Sequence, residues 1–100
     1  MLSFIKTIFG GSEDATLQEV LAKDSVIIDV RTPAEFSGGH APRAINIPLD
    51  ELPRKIAFIR AQQKPVVVCC ASGMRSARAK SLLAQNGITD VHDAGSWRKL

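Results

Sequence analysis

The chain has 100 residues, 45% of them hydrophobic, with 13 Lys and Arg against 10 Asp and Glu for a net charge of +3. That describes one small domain with a single core, large enough to fold without metals or disulfides. The basic residues are scattered and only 5% of residues are aromatic, so nucleic-acid binding has little behind it and small anions are the better candidates.

Met1 to Phe9 is apolar but brief, is interrupted by Lys6, and lacks a basic start and a small-residue cleavage site, so it reads poorly as a signal peptide. Ile5, Ile8 and Phe9 fall at helical spacing. The expectation is an N-terminal arm over 1–12 that covers its own domain, ahead of one that binds a partner or rests on a membrane surface. No segment reaches the ~18 apolar residues that a membrane span requires. The domain itself is expected over 13–100.

After a Gly10-Gly11-Ser12 hinge, Thr16-Leu17-Gln18-Glu19 has the form of a capping box, which predicts a helix starting there with Leu17, Val20 and Leu21 on one face. Val26 to Val30 is a continuous apolar run broken only by Asp29, as in a parallel strand covered on both sides. Pro33 suits a first helical position, Ala34 to Phe36 a short helical turn, and Gly38-Gly39 its close. Ala44 to Ile47 reads as a brief strand. Asp50 is the expected N-cap of a helix running to about Arg60, because Leu49, Leu52, Ile56 and Ile59 recur at spacings of three and four. Pro65 to Cys69 is the second buried strand. A helix follows from about Arg75 to Gln85 with Ala79, Leu82 and Leu83 inward and Gly87 at C′, and Ile88 to His92 is the last short strand. Strands alternating with helices imply an α/β fold, a small parallel β-sheet with helices on both faces. Ligands in such folds bind beyond the carboxyl ends of the strands, where Cys70 falls.

Cys70-Ala71-Ser72-Gly73-Met74-Arg75-Ser76 joins a buried strand to an alanine-rich helix. A short Gly-containing loop at a helix start directs several backbone N–H groups at one spot, a nest that stabilises negative charge. Cys70 at its mouth becomes a thiolate with a pKa below that of a free thiol and no need of a partner base. A helix start ordinarily disfavours cations by roughly 0.3–1 kcal/mol. Here Cys70 to Lys80 contains no acid but does contain Arg75, Arg78 and Lys80, which an anionic guest would explain. The two cysteines, Cys69 and Cys70, are adjacent and cannot staple distant parts of the chain, which points to a reducing, cytoplasmic compartment. In a strand they face opposite ways, so Cys69 is read as the core thiol and Cys70 as the exposed one, with a strained vicinal disulfide as the other possibility. Adjacent cysteines with neither histidine close in sequence give metal binding no support.

Three stretches resemble the rhodanese family in its single-domain form. Asp29-Val30-Arg31-Thr32-Pro33-Ala34-Glu35-Phe36 with Gly39-His40-Ala41-Pro42 is similar to the family's first signature, Ala44-Ile45-Asn46-Ile47-Pro48 to the segment after it, and Val68 to Ala77 to its active-site strand, loop and helix. The likeness runs from about Ala15 to Trp97, in the family's order. Two departures stand out: the chain stops shortly after Trp97, which leaves the closing edge abbreviated or covered by the Met1–Phe9 arm, and Arg43 follows Pro42 where the family often has glycine.

The resemblance implies a sulfurtransferase that needs no cofactor. Cys70 would be the nucleophile, converted to a persulfide by a small anionic donor such as thiosulfate and discharged to cyanide, a thiol or a protein acceptor. Ala71, Ser72, Gly73, Met74 and Arg75 would form the binding loop, with Arg75 facing the donor's sulfonate or bracing the loop. Arg31 and Asn46 are candidate supports; Asp29, Arg31 and Glu35 are read as an ion-pair network of scaffolding, His40 as structural and His92 as a surface residue. A persulfide carrier or binding module for a protein partner is the alternative, and a phosphatase or arsenate reductase a lesser one, because the four residues between Cys70 and Arg75 make a loop one residue shorter than the phosphatase type. A monomer is expected.

Overall fold

The two strongly apolar runs become the two central strands of the sheet. Residues 11–100 are described by a computed structural model. β1 (Val26–Asp29) and β3 (Val66–Cys70) pair in parallel, Val26 opposite Val66 and Asp29 opposite Cys69. β2 (Ile45–Asn46) flanks β1 and β4 (Val91–Ser96) flanks β3, also in parallel, giving the order β2-β1-β3-β4. Successive side chains of a strand point to opposite faces, so a strand covered on both sides must be apolar throughout. All five residues of β3 are buried.

α1 (Gly11–Ala22) covers one face, where Leu17 and Val20 meet Ile27, Val67, Cys69 and Ala94. The other face carries a 3₁₀ segment (Leu49–Lys55) and two helices, and α2 (Pro33–Ser37) is the short turn after β1. Leu52 of the 3₁₀ segment, Ile59 of α3 (Ile56–Gln62), and Ala79 and Leu83 of α4 (Met74–Gln85) close over Ile28, Val30, Val66, Val68 and Cys70. Each fully buried aliphatic side chain contributes about 1.5–3 kcal/mol, against ~0–1 kcal/mol for an exposed ion pair, so the core rather than the surface charges holds the fold. Among the described residues no helix is long and apolar enough to cross a membrane.

Three expectations are corrected. α1 begins at Gly11, inside the expected hinge, and Thr16 lies within it rather than capping it; a start at Thr16 would leave barely two turns, and helix propagation favours the longer element. Asp50 caps nothing: Pro48 occupies the N-cap position, Pro53 lies within the 3₁₀ segment, and the α-helix begins only at Ile56. Both segments place the four spaced residues Leu49, Leu52, Ile56 and Ile59 on the core, so the spacing matched a helix although the pitch changes midway. Ile88 is not in a strand, because its N–H bonds to the Leu83 carbonyl (2.9 Å) while Gly87 N–H bonds to Ala84 (3.0 Å), completing a Schellman cap on α4. The last strand therefore starts at Val91. It is also bulged: Val68 faces Asp93 and Cys69 faces Gly95, with Ala94 the extra residue and Gly95 at φ +74°. The Met1–Phe9 arm lies outside the described residues.

Candidate active site

β3 runs one residue further than the sequence suggested and carries Cys70 at its end. Cys70 is therefore not the exposed thiol expected of it; it is 1% exposed, and Cys69 is fully buried. The two do face opposite sides, Cys69 toward α1 and Cys70 toward α3 and α4, and both are free thiols. The loop after Cys70 folds back over the sulfur with its donors inward. Gly73 N–H reaches Sγ at 3.0 Å and Ser76 N–H at 3.4 Å, and the Ser76 hydroxyl lies 3.5 Å away. Gly73 takes φ +113°, a region that L side chains rarely adopt, and so caps α4 while turning its N–H onto the sulfur.

These donors decide the electrostatics of the sulfur. Burial pushes the Cys70 thiol up, but the Ser76 hydroxyl and the Ser76, Gly73 and Ser72 amides together outweigh it, and the net shift is below the ordinary thiol range. Cys69 has no such ring. Burial, with Asp29 adding to it and Arg31 opposing, pushes its thiol up to about 12. One cysteine is poised to ionise and its neighbour is held as a thiol. Ser76 is the site residue that sequence reasoning missed; it is fully buried, and its hydroxyl also donates to the Gly73 carbonyl (3.1 Å). A hydroxyl in the first helical turn after the loop, next to the arginine, is the signal that could have found it.

Arg75 does not point at the sulfur. Its guanidinium forms a two-pronged pair with Glu35 of α2, Nη1 to Oε1 at 2.6 Å and Nη2 to Oε2 at 3.0 Å, which ties the loop to the segment after β1. Glu35 is fixed in turn by a capping box: Thr32 N–H donates to its carboxylate (3.1 Å) and Glu35 N–H to the Thr32 hydroxyl (3.2 Å). Arg75 first, then the Thr32 amide, hold the Glu35 carboxyl down at about 2. Met74 projects into solvent at 71% exposure, and Ser72 acts on the sulfur through its backbone amide.

The expected network of Asp29, Arg31 and Glu35 divides in two. Glu35 takes Arg75, while buried Arg31 pairs with buried Asp29 at 2.7 Å and donates to the Gly39 carbonyl at 2.7 Å. Two guanidinium groups lie over the Trp97 ring, Arg31 at 4.7 Å and Arg98 at 4.8 Å from its centre, and the edge of the ring touches the space that a Gly39 side chain would fill. Asn46 donates to the backbone carbonyls of Asp29 (3.0 Å) and Arg31 (2.9 Å), so it secures the end of β1 rather than touching the sulfur. His40 stacks on Phe36 and bonds its carbonyl, and His92 pairs with Asp90. Among the described residues no three His, Cys, Asp or Glu side chains are grouped to hold a metal.

The comparisons with known proteins agree with this geometry. The family model for the rhodanese-like domain matches residues 13–99. YqhL of Bacillus subtilis is 43% identical over 74 residues, 73% of this chain, and the match spans 58% of that relative's own length. Thiosulfate sulfurtransferase PspE of Escherichia coli is 38% identical over 74 residues, covering 73% of this chain and 71% of that protein. Among solved structures, a rhodanese with anions from Escherichia coli superposes with a TM-score of 0.71 at 36% identity over 77% of this chain and 92% of that one. The human single-domain sulfurtransferase TSTD1 does so with a TM-score of 0.70 at 30% identity, over 85% and 88% of the two chains. With its parallel sheet, its strand-loop-helix cysteine and a family match over nearly its whole length, this chain belongs to the rhodanese-like domain family.

Proposed function

We propose that this protein is a sulfurtransferase that moves sulfane sulfur from thiosulfate or a similar donor to a thiophilic acceptor, cyanide or a thiol, through a persulfide on Cys70. The observation that carries the reading is the convergence of Gly73 N–H, Ser76 N–H and the Ser76 hydroxyl on one sulfur atom. In the first half-reaction the Cys70 thiolate attacks the outer sulfur of thiosulfate; the S–S bond breaks and sulfite leaves with its electron pair. In the second, the acceptor attacks the terminal sulfur of the persulfide and the thiolate is released. Both resting states are anionic sulfur in the same ring of donors, so the ring stabilises each without a general base.

Two features bear on the competing readings. Oxyanion chemistry of the phosphatase type needs a guanidinium free to meet the phosphoryl group, and Arg75 is committed to Glu35. The covered sulfur, 1% exposed, favours a variant in which one protein partner displaces the loop edge and receives the sulfur, so that the domain acts as a persulfide carrier. Turnover of thiosulfate and cyanide to thiocyanate, run beside an aryl phosphate, tests the proposal. Thiocyanate formation without phosphate release is expected; phosphate release with no sulfur-loaded protein would overturn it. Loading of one sulfur with turnover only when a protein acceptor is added would assign the carrier form.

A further inference from the structure

We infer that the layer formed by the 3₁₀ segment, α3 and α4 is a docking surface for an acidic segment of another protein, one whose carboxylates flank an apolar side chain. The inference stands on the surface itself and does not require the persulfide. Basic residues that are scattered along the sequence are gathered by the fold. Between Glu51 and Asp90 there is no Asp or Glu, yet seven of the 13 Lys and Arg fall there. The 3₁₀ segment, α3 and α4 of that stretch all cover one face of the sheet, the face toward which Cys70 points. α1, on the other face, contains Glu13, Asp14 and Glu19 and no Lys or Arg. Three of the seven cations are engaged: Arg75 with Glu35, Lys64 with Asp24, and Arg60 with the Asn86 carbonyl at 2.6 Å. Arg54, Lys55, Arg78 and Lys80 are exposed and have no ion-pair or hydrogen-bond partner among the described residues.

Charge alone would describe a solvated face; the second observation is apolar. Phe58 of α3 and Met74 of α4 are the large hydrophobic side chains left exposed among the described residues, and both belong to this layer. Along α4, Ala77, Arg78, Ser81, Leu82 and Gln85 line an open groove of about 340 Å³, with Leu82 as its apolar part and Arg78 as its charge. Phe, Met and Arg are the residue types enriched at protein interfaces, where an apolar anchor supplies affinity and the surrounding charges supply orientation. A nucleic acid would call for several stacking aromatics along a cationic track, and Phe58 is the single aromatic in the three elements. A second copy presenting α1 would pair head to tail, an arrangement that does not close. Met74 follows directly on Gly73 of the loop that covers the sulfur, so a segment seated over Met74 reaches the edge of the site.

The probes are three labelled ligands: a short peptide of leucine and glutamate at helical spacing, the same peptide with glutamine in place of glutamate, and an oligothymidylate. Binding to the whole reduced chain is read by fluorescence anisotropy, and the amides that respond are mapped by NMR. The acidic peptide should bind about tenfold tighter than the neutral one at low salt, the sum of a few exposed charge pairs. High salt should close the gap, and the amides that shift should belong to the 3₁₀ segment, α3 and α4. Arg78→Glu should cut the preference about threefold, the effect of one exposed pair reversed. Lys23→Glu, an equal change of charge just beyond α1, should leave most of it. Phe58→Ser should weaken both peptides alike. Equal binding of the two peptides, an equal loss in Lys23→Glu, or shifts confined to α1 and β4 would overturn the inference. So would tighter binding of the oligothymidylate, which would assign the surface to nucleic acid, or self-association that displaces the peptide, which would assign it to a second copy. Selective binding of the acidic peptide by a protein that no donor loads with sulfur would refute the transferase reading while leaving the docking surface intact.

Discussion

Ser76→Ala removes one of the donors that set the state of Cys70 while leaving the backbone ring in place. In the thiol form the Cys70 S–H faces the Ser76 oxygen at 3.5 Å and the hydroxyl donates to the Gly73 carbonyl at 3.1 Å. On ionisation the hydroxyl must turn toward the sulfur. That turn does not orphan the Gly73 carbonyl, which keeps the Ala77 N–H at 3.1 Å. A hydrogen bond to a charged group contributes about 1.5–3 kcal/mol, and a contact to sulfur at 3.5 Å belongs at the low end. Since 1.36 kcal/mol is a factor of ten, the thiolate population should fall roughly tenfold wherever the thiol form dominates. The assay is the second-order rate of Cys70 alkylation by iodoacetamide as a function of pH. The variant's profile should lie to the alkaline side of the wild type, the rates should differ by about tenfold on the acid limb of both profiles, and they should converge once both thiols are ionised. An unchanged profile in a variant with wild-type circular dichroism would refute the assignment of the hydroxyl as a stabiliser of the thiolate.

Two further outcomes follow from the pairs around the loop. The Glu35 carboxyl, held at about 2 against an ordinary 4.5, binds its proton less readily in the folded state, so its contribution to stability is present above pH ~4.5 and is lost as pH falls toward about 2. Glu35→Gln should lower stability above pH ~4.5 and flatten the acid limb of the profile in that window, measured by urea unfolding of a variant that is still folded at pH 7; an unaltered acid limb would mean that the pair does not couple α2 to the loop. Asp29→Ala leaves Arg31 buried without its partner, a loss of about 3–5 kcal/mol, which corresponds to a fall in Tm of roughly 15 °C or more for a domain of this size. A fall of only a few degrees would show that Arg31 escapes to solvent.

The parts of the fold that were legible are those where one local signal is also the global one. Val26–Asp29 and Val66–Cys70 are buried on both faces and so read as apolar runs, and the alternation of elements fixed a parallel sheet. β4 was not legible, because its sequence, VHDAGS, is largely polar and it is held by ladder bonds and a bulge rather than by hydrophobic patterning. Ile88 drew the strand assignment to itself because a residue after a helix cap is also apolar when it covers the helix end. At the site, the turning of loop amides onto Cys70 could be read from the Gly-containing loop at the helix start. The partner of Arg75 could not: Glu35 lies 40 residues away in sequence, and only the pairing of β1 with β3 brings the two loops together. The burial of Cys70 was equally hidden, since the amides that were expected to face its sulfur are also what covers it.

Intact-mass analysis of the reduced protein after exposure to a sulfane donor, with the added sulfur located by digestion, decides whether Cys70 carries sulfur. One added sulfur atom is expected on Cys70, removed by cyanide or a thiol, abolished in Cys70→Ser and largely retained in Cys69→Ser. A protein that gains no sulfur from any donor, or gains it on Cys69, would contradict that expectation.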